Sequence, residues 1–274
     1  MKQTIGIVGA GYVGAAFCHL FKKHYNILIY DTDPAKCFNC TSIEDINTKC
    51  YLSIICVPTP MKRDTLECDT SIVEDVVSKL NTPLILLKST VEIGTTEKLK
   101  KKYNKRIVFS PEYCGESSYW TPYKFHADVV ETPFFIFGGD EKDTSEMIDF
   151  FMPVCGPVKK YYQTDATTAE VVKYAENTFY ATKIAYCYEL NEICKSCGVD
   201  YNEMRELWIA DPRISPMHTS VFYKNILPFS GKCFPKDLNG LIKLAEKKGY
   251  DPKLLKEVWE TNKRIGEIRK KRLS

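Results

Sequence analysis

The stretch "TIGIVGAGYVGAAFCHLFKKH" near the N-terminus leaves the chain few ways to fold. An apolar run of strand type ends at Val8, and apolar residues then recur at helical spacing from Tyr12 onward. Between them Gly9, Gly11 and Gly14 form G-x-G-x-x-G, the tight strand-to-helix turn of a dinucleotide-binding unit. Such a turn lets backbone N–H groups at the helix N-terminus approach a pyrophosphate. Tyr12 and Val13, at the head of that helix, belong to the expected cofactor-binding set. The next apolar run ends at Asp31, 22 residues past Gly9, where a carboxylate can accept both hydroxyls of a ribose. A carboxylate there repels a 2′-phosphate and so prefers NAD to NADP, although Lys36 nearby works the other way. FAD is the other ligand this motif serves. The bland alternative is a turn of the same fold that binds nothing.

The pattern continues in kind. "NILIYD", "LSIICV", "PLILLKS", "RIVFSPE" and "FFIFGG" read as strands, with amphipathic stretches such as "SIVEDVVSKL" and "GTTEKLKKKY" between several of them. Strand and helix in alternation predict a doubly wound parallel sheet covered on both faces, an α/β class. From about Thr167 the strand signals stop. One helix of about thirty residues is expected next, with Gly198 where a C-cap belongs. Further helical patterns follow at "YNEMRELWIA", "PKDLNGLIKLAEKKG" and "DPKLLKEVWETNKRIGEIRKK". The expected division is residues 1–165 as a Rossmann-like domain and 166–274 as a helical domain.

Composition excludes several classes. Apolar residues at 44% and charged residues at 27% suit an ordinary globular core. A net charge of +3 gives no reason to expect nucleic acid. The longest apolar runs fall far short of the roughly 18 residues that span a bilayer. No charged-then-apolar leader precedes the first strand, so a cytoplasmic setting with reduced thiols is expected for the 12 cysteines. "CFNC" and "CKSC" share the spacing of zinc knuckles, but no His/Cys pair follows at finger spacing, and no metal site is expected.

One cysteine stands apart. In "FSGKCFPKDLNG", Pro235 suits the first turn of a helix, which puts Cys233 just ahead of its N-terminus. The helix dipole, Lys232 and Lys236 would all favour a thiolate, and Asp237 could orient a proton or a water beside the sulfur. A buried, inert thiol is the alternative on these residues alone.

"CFPKD", "GAGYVG", "ICVPTP", "STVEIGTT", "SPEYCGES", "AEVVKYAENTFYATK" and "DPRI" together resemble the UDP-glucose/GDP-mannose dehydrogenase family, in its order, from residue 4 to about 265. The resemblance implies NAD as cofactor and a nucleotide sugar as substrate, most simply UDP-glucose. The C6 alcohol is oxidised to a carboxylate in two hydride transfers through a thiohemiacetal and a thioester. It implies Cys233 as nucleophile and Lys173 as proton donor and charge partner of the oxyanion, with Asn177, four residues along the same helix, helping to hold that oxyanion. Asp237 and Thr90 would position water or relay protons. Glu112 resembles the acid/base of thioester hydrolysis, and Glu116 and Thr59 resemble residues near NAD. Tyr113 and Phe229 fall in the substrate-binding set, and Arg213 matches an arginine that reaches a neighbouring subunit's substrate. The second domain would then serve substrate and dimerisation, and polysaccharide biosynthesis would be the setting. Each residue has a plainer reading: Lys173 as a solvated lysine, Asn177 as a surface amide, Glu112 and Glu116 as an exposed loop pair, Thr90 as a helix N-cap. Phe179, Tyr180, Tyr186 and Tyr188 are expected to pack a core or a dimer seam.

The pattern departs from the family in three places. Pro228 and Ser230 stand where the family has glycines in the loop before the cysteine, and Ser215 replaces another. The family's third domain, which closes over the uridine diphosphate, is not expected within these residues. A separate chain supplying it, or a raised KM without it, is the corresponding expectation. Two other readings stay open: a single-hydride 3-hydroxyacid dehydrogenase, which has no use for Cys233, and a non-catalytic NAD-binding remnant.

Overall fold

The computed structural model describes residues 3–115, 123–222 and 226–273, so Glu116 lies outside the described residues. The chain forms two compact units. The first runs to Lys173 apart from Met61–Glu67, and the second runs from Tyr174 and includes that short segment.

The first unit carries β1 (Thr4–Val8), α1 (Tyr12–Phe21), β2 (Asn26–Tyr30), α2 (Ile43–Lys49), β3 (Leu52–Ile55), α3 (Ser71–Lys79), β4 (Leu84–Leu87), α4 (Thr95–Tyr103), β5 (Ile107–Phe109), β6 (Phe134–Gly138), α5 (Glu141–Cys155) and β7 (Lys160–Thr164). The strands form one sheet in the order β2-β1-β3-β4-β5-β6-β7. Alternation along the strands explains why both faces are covered. Leu84 and Leu86 of β4 join one apolar cluster with Phe17, Phe21 and Phe151, while Ile85 and Leu87 join another with Val73, Val77 and Leu99. Each such side chain contributes about 1.5–3 kcal/mol by leaving water.

The sheet is parallel from β2 through β5, but β6 runs antiparallel to β5 through the single pair Phe109↔Gly138, and β7 is parallel to β6. The expected doubly wound parallel sheet is thus present, with one antiparallel junction that the sequence patterns did not indicate. A parallel neighbour needs a crossover, usually helical, and among the described residues between β5 and β6 there are only short 3₁₀ turns, Lys124–His126 and Val129–Glu131.

The second unit is helical: most of α6 (Ala166–Ser196), then α7 (Tyr201–Trp208), α8 (Phe234–Lys247) and α9 (Lys253–Leu273). Gly198, at φ +70°, closes α6. Its N–H donates to the Lys195 carbonyl and that of Val199 to the Cys194 carbonyl, a Schellman ending. Ala181, Ala185, Phe229, Leu238, Ile242 and Val258 form one core of this unit. The α6 aromatics singled out above divide between roles. Tyr188 is buried, Tyr180 packs on His218, and Phe179 and Tyr186 face solvent. Among the described residues no helix is long and apolar enough to cross a membrane, and no group of three or more His, Cys, Asp or Glu could hold a metal ion.

Candidate active site

In the first unit the glycines of the turn have different tasks. Gly9 has φ +97°, and a Cβ on it would meet the Cys56 carbonyl oxygen at 2.7 Å. A Cβ on Gly14 would lie 2.0 Å from the Gly9 carbonyl oxygen, so only glycine lets α1 pack against the end of β1. Gly11 has open space around it. It is also the N-cap of α1, which has no side-chain cap hydrogen bond and no acidic side chain in its first turn. Tyr12 is exposed and Val13 packs against the core.

Asp31 follows β2 and ties the turn together. Its carboxylate accepts from the N–H of Ala10 at 2.7 Å and of Asp33 at 2.9 Å. Burial pushes its carboxyl up, but the N–H groups of Asp33 and Ala10 and the Lys36 charge outweigh that and hold it below the usual aspartate value. Lys36 pairs with Asp33 at 3.5 Å. An ionised carboxylate with lone pairs to spare, beside an open glycine at an uncapped helix head, fits the ribose and pyrophosphate of a dinucleotide.

At the strand ends the Thr59 hydroxyl donates to the Thr90 carbonyl at 2.7 Å. Thr90 is not a helix cap, because α4 begins later with Gly94 as its N-cap. Glu112 is not an exposed loop residue. It is 9% exposed, and its Oε1 accepts from the N–H of Tyr113 at 2.8 Å and of Cys114 at 2.7 Å. Its Oε2 stands 3.3 Å from the ammonium of Lys88. Burial pushes the Glu112 carboxyl up. The Lys88 charge and the two N–H groups more than offset this and leave it below the ordinary glutamate value. Lys173 is half-buried, with its Nζ 5.5 Å above the Tyr113 ring. Lys88 was not foreseen as part of the site, although a lysine ending the apolar run "LILL" is itself a signal of a buried ion pair. Glu170 was missed too: it accepts from the N–H groups of Gly94 and Thr96 and from the Thr96 hydroxyl, capping α4 from another helix.

In the second unit Cys233 is exposed and is the N-cap of α8, with a proline in the first turn behind it. The Asp237 N–H closes the first helical bond onto the Cys233 carbonyl at 2.9 Å. Asp237 and Asn177 are both buried, and the Asn177 amide donates to Asp237 Oδ2 at 2.5 Å. The other Asp237 oxygen pairs with Lys236, itself only 6% exposed. Lys236 thus shares its charge with Asp237. Phe229 lies in the core of this unit against Trp259, and its N–H donates to Asn262 Oδ1 at 3.0 Å. Gly231, at φ +91°, is the loop position that requires glycine, and it is retained; Ser230 does not have positive φ. Arg213 is exposed and its guanidinium grips Asp211, with Nη2 at 2.6 Å.

A glycine-rich turn on a doubly wound sheet, in one chain with a helical unit that presents a cysteine at a helix head, is the make-up of a two-unit dinucleotide-binding protein. Residues 35–152 match the NAD binding domain of the UDP-glucose/GDP-mannose dehydrogenase family, and residues 167–264 match the central domain of the same family. The chain belongs to that family. It is 33% identical over 236 residues to the UDP-glucose 6-dehydrogenase YwqF of Bacillus subtilis, which covers 81% of this chain and 50% of that protein. The chain therefore spans about half the length of the curated relatives it matches. Its fold is that of a UDP-glucose dehydrogenase from Pyrobaculum islandicum, with a TM-score of 0.80 at 23% identity over 96% of this chain and 68% of that one. A 3-hydroxyisobutyrate dehydrogenase of Mycobacterium tuberculosis shares the fold at a TM-score of 0.68 and 17% identity, covering 99% of this chain and 94% of that one.

Proposed function

We propose that this chain carries the NAD-dependent oxidation of the C6 alcohol of a nucleotide sugar, most simply UDP-glucose to UDP-glucuronate, with Cys233 as nucleophile. The observation that carries the reading is Cys233 itself, exposed at the N-cap of α8 one turn ahead of a buried, hydrogen-bonded Asp237. A hydroxyacid dehydrogenase on the same fold has no task for that cysteine.

Gly9, Gly11, Tyr12, Val13 and Gly14 would hold the pyrophosphate and Asp31 the ribose, with Thr59, Thr90 and Glu116 toward the other end of the cofactor. Two NAD bound in succession would each accept one hydride. The Cys233 sulfur adds to the aldehyde carbon at C6, making a C–S bond while the carbonyl oxygen gains negative charge. Lys173 and Asn177 stabilise that oxyanion and Lys173 gives it a proton. The adduct becomes a thioester as its C6 hydride leaves and its hydroxyl proton returns to Lys173; water then attacks the carbonyl carbon, Glu112 takes the proton from the water, and the C–S bond breaks to release the acid and the thiolate. Asp237 and Thr90 orient the water. Tyr113, Arg213 and the loop around Phe229 would border the sugar nucleotide.

We also read the exposed residues Phe179, Tyr186 and Ile193, seven apart along α6, as the seam of a homodimer.

The test is a count of NADH released per sugar over UDP-glucose, GDP-mannose and the UDP-N-acetylhexosamines, with Cys233→Ser alongside. Two NADH per sugar, and no acid formed by the variant, are expected. One NADH per molecule of a 3-hydroxyacid, retained in Cys233→Ser, would establish the hydroxyacid reading instead. Measurable NAD binding with no turnover of any substrate would establish the non-catalytic one.

A further inference from the structure

Lys88 follows β4 directly and is 4% exposed, yet none of the steps above uses it. Its ammonium donates to the Pro111 carbonyl at 2.7 Å and the Ser110 hydroxyl at 3.2 Å, and sits 4.9 Å over the Phe17 ring. The remaining direction points to Glu112 Oε2 at 3.3 Å. The two oxygens of Glu112 differ. Oε1 is committed to two backbone N–H groups, whereas buried Oε2 has no hydrogen-bond partner and faces the ammonium. The titratable groups that act on this carboxylate are Lys88 after β4, Cys56 after β3 and Cys114 on its own loop. Burial pushes both thiols up, so they stay neutral, and among these groups the positive charge facing Glu112 is that of Lys88. A carboxyl buried among thiols and aromatic rings would hold its proton, and a protonated carboxyl cannot accept one from water.

We propose that Lys88 is a positioning residue: by facing the unpartnered Oε2 it keeps Glu112 ionised, the state in which the carboxylate can take the proton of the hydrolytic water. The inference rests on the function proposed above, where Glu112 is the base. Lys88 touches no substrate in this reading, and its whole effect passes through the glutamate. The low-lying Glu112 carboxyl, brought down first by the Lys88 charge against the push of burial, agrees with it.

The experiment follows the Glu112 carboxyl directly, by ¹³C NMR of protein labelled at glutamate Cδ, with Glu112→Gln identifying its signal. In the unmodified protein the signal is expected to titrate below an ordinary glutamate. In Lys88→Gln, which keeps a donor for the Pro111 carbonyl but lacks the charge, it should move up by about one to three pH units. Lys88→Arg should restore it. The acidic limb of acid formation should shift by the same interval in Lys88→Gln with the KM for NAD unchanged. A Glu112 signal indifferent to Lys88→Gln overturns the proposal. Should that variant fail to fold, a Glu112 signal in the unmodified protein at or above the ordinary glutamate value overturns it equally. Glu112 following Lys88 in a protein that yields no NADH from any nucleotide sugar would sink the functional reading and support the charge-setting one.

Discussion

Asn177, on α6, donates its amide to the carboxylate of Asp237, on α8, and Asp237 uses its other oxygen for the ammonium of Lys236. All three side chains are buried. The carboxylate is therefore an acceptor shared by both side chains, and removing its charge takes an ion-pair partner from a buried ammonium. We expect Asp237→Asn to destabilise the second unit by about 3–5 kcal/mol. The measurement is urea unfolding followed by the fluorescence of Trp208 and Trp259, both in that unit. A loss below about 1 kcal/mol, the range of an exposed pair, would show that the network does not hold the unit together.

Glu170 gives a pH dependence whose sign can be worked out. It is fully buried, and burial pushes its carboxyl up further than its bonds to Thr96 and Gly94 bring it down. Its folded value lies above the unfolded one, so the folded protein binds this proton more tightly. The stability it contributes is complete below the ordinary glutamate value and declines as pH rises through the raised folded value. Glu170→Gln should abolish that decline. Comparing ΔG of unfolding for both proteins from acid to neutral pH checks it, and parallel curves would refute the assignment.

Much of this was legible from residue order alone, and the failures have physical causes. The strands β1 to β6 announce themselves because both faces are buried, which forces unbroken runs of Ile, Leu, Val and Phe. β7 reads "KYYQT", an edge strand with no fully buried residue, so it has no apolar run to see. α5 buries Met147, Phe150 and Phe151 at helical spacing, but Pro153 in its last turn argues against a helix there. α2 is short, though its capping box from Ser42 to Asp45 is a readable start signal. Within the site, Cys233 and the glycines are visible because each is defined by its neighbours in the chain. Lys88 and Glu112 are 24 positions apart, and only the pairing of β4 with β5 brings their strand ends together.

Two glycines of the turn should respond to alanine in opposite ways. At Gly14 the new Cβ would fall 2.0 Å from a backbone oxygen, and backbone cannot step aside cheaply. Gly14→Ala should lower stability of the first unit and abolish NAD binding together. At Gly11 the protein leaves open space, so Gly11→Ala should fold normally. It should nonetheless weaken NAD by about tenfold, or about 1.4 kcal/mol, because the methyl group occupies the approach of the pyrophosphate. Thermal unfolding and calorimetric titration with NAD separate the two effects. Unchanged affinity in Gly11→Ala would mean the cofactor does not pass over that glycine.

The α6 stripe makes a prediction about assembly. Phe179 is 62% exposed, Tyr186 52% and Ile193 51%, and a spacing of seven places them along one side of the helix. Apolar residues scattered singly need no explanation, but a repeated stripe on a 31-residue helix offers a seam for a second copy. None of the three joins a core cluster of its own unit, so charged substitutions there leave the fold's interior intact. Sedimentation velocity should report a dimer for the unmodified protein and a monomer for Phe179→Glu combined with Ile193→Glu, with circular dichroism unaltered. A monomeric unmodified protein across micromolar concentrations would leave the stripe to another partner and remove the homodimer from the proposal.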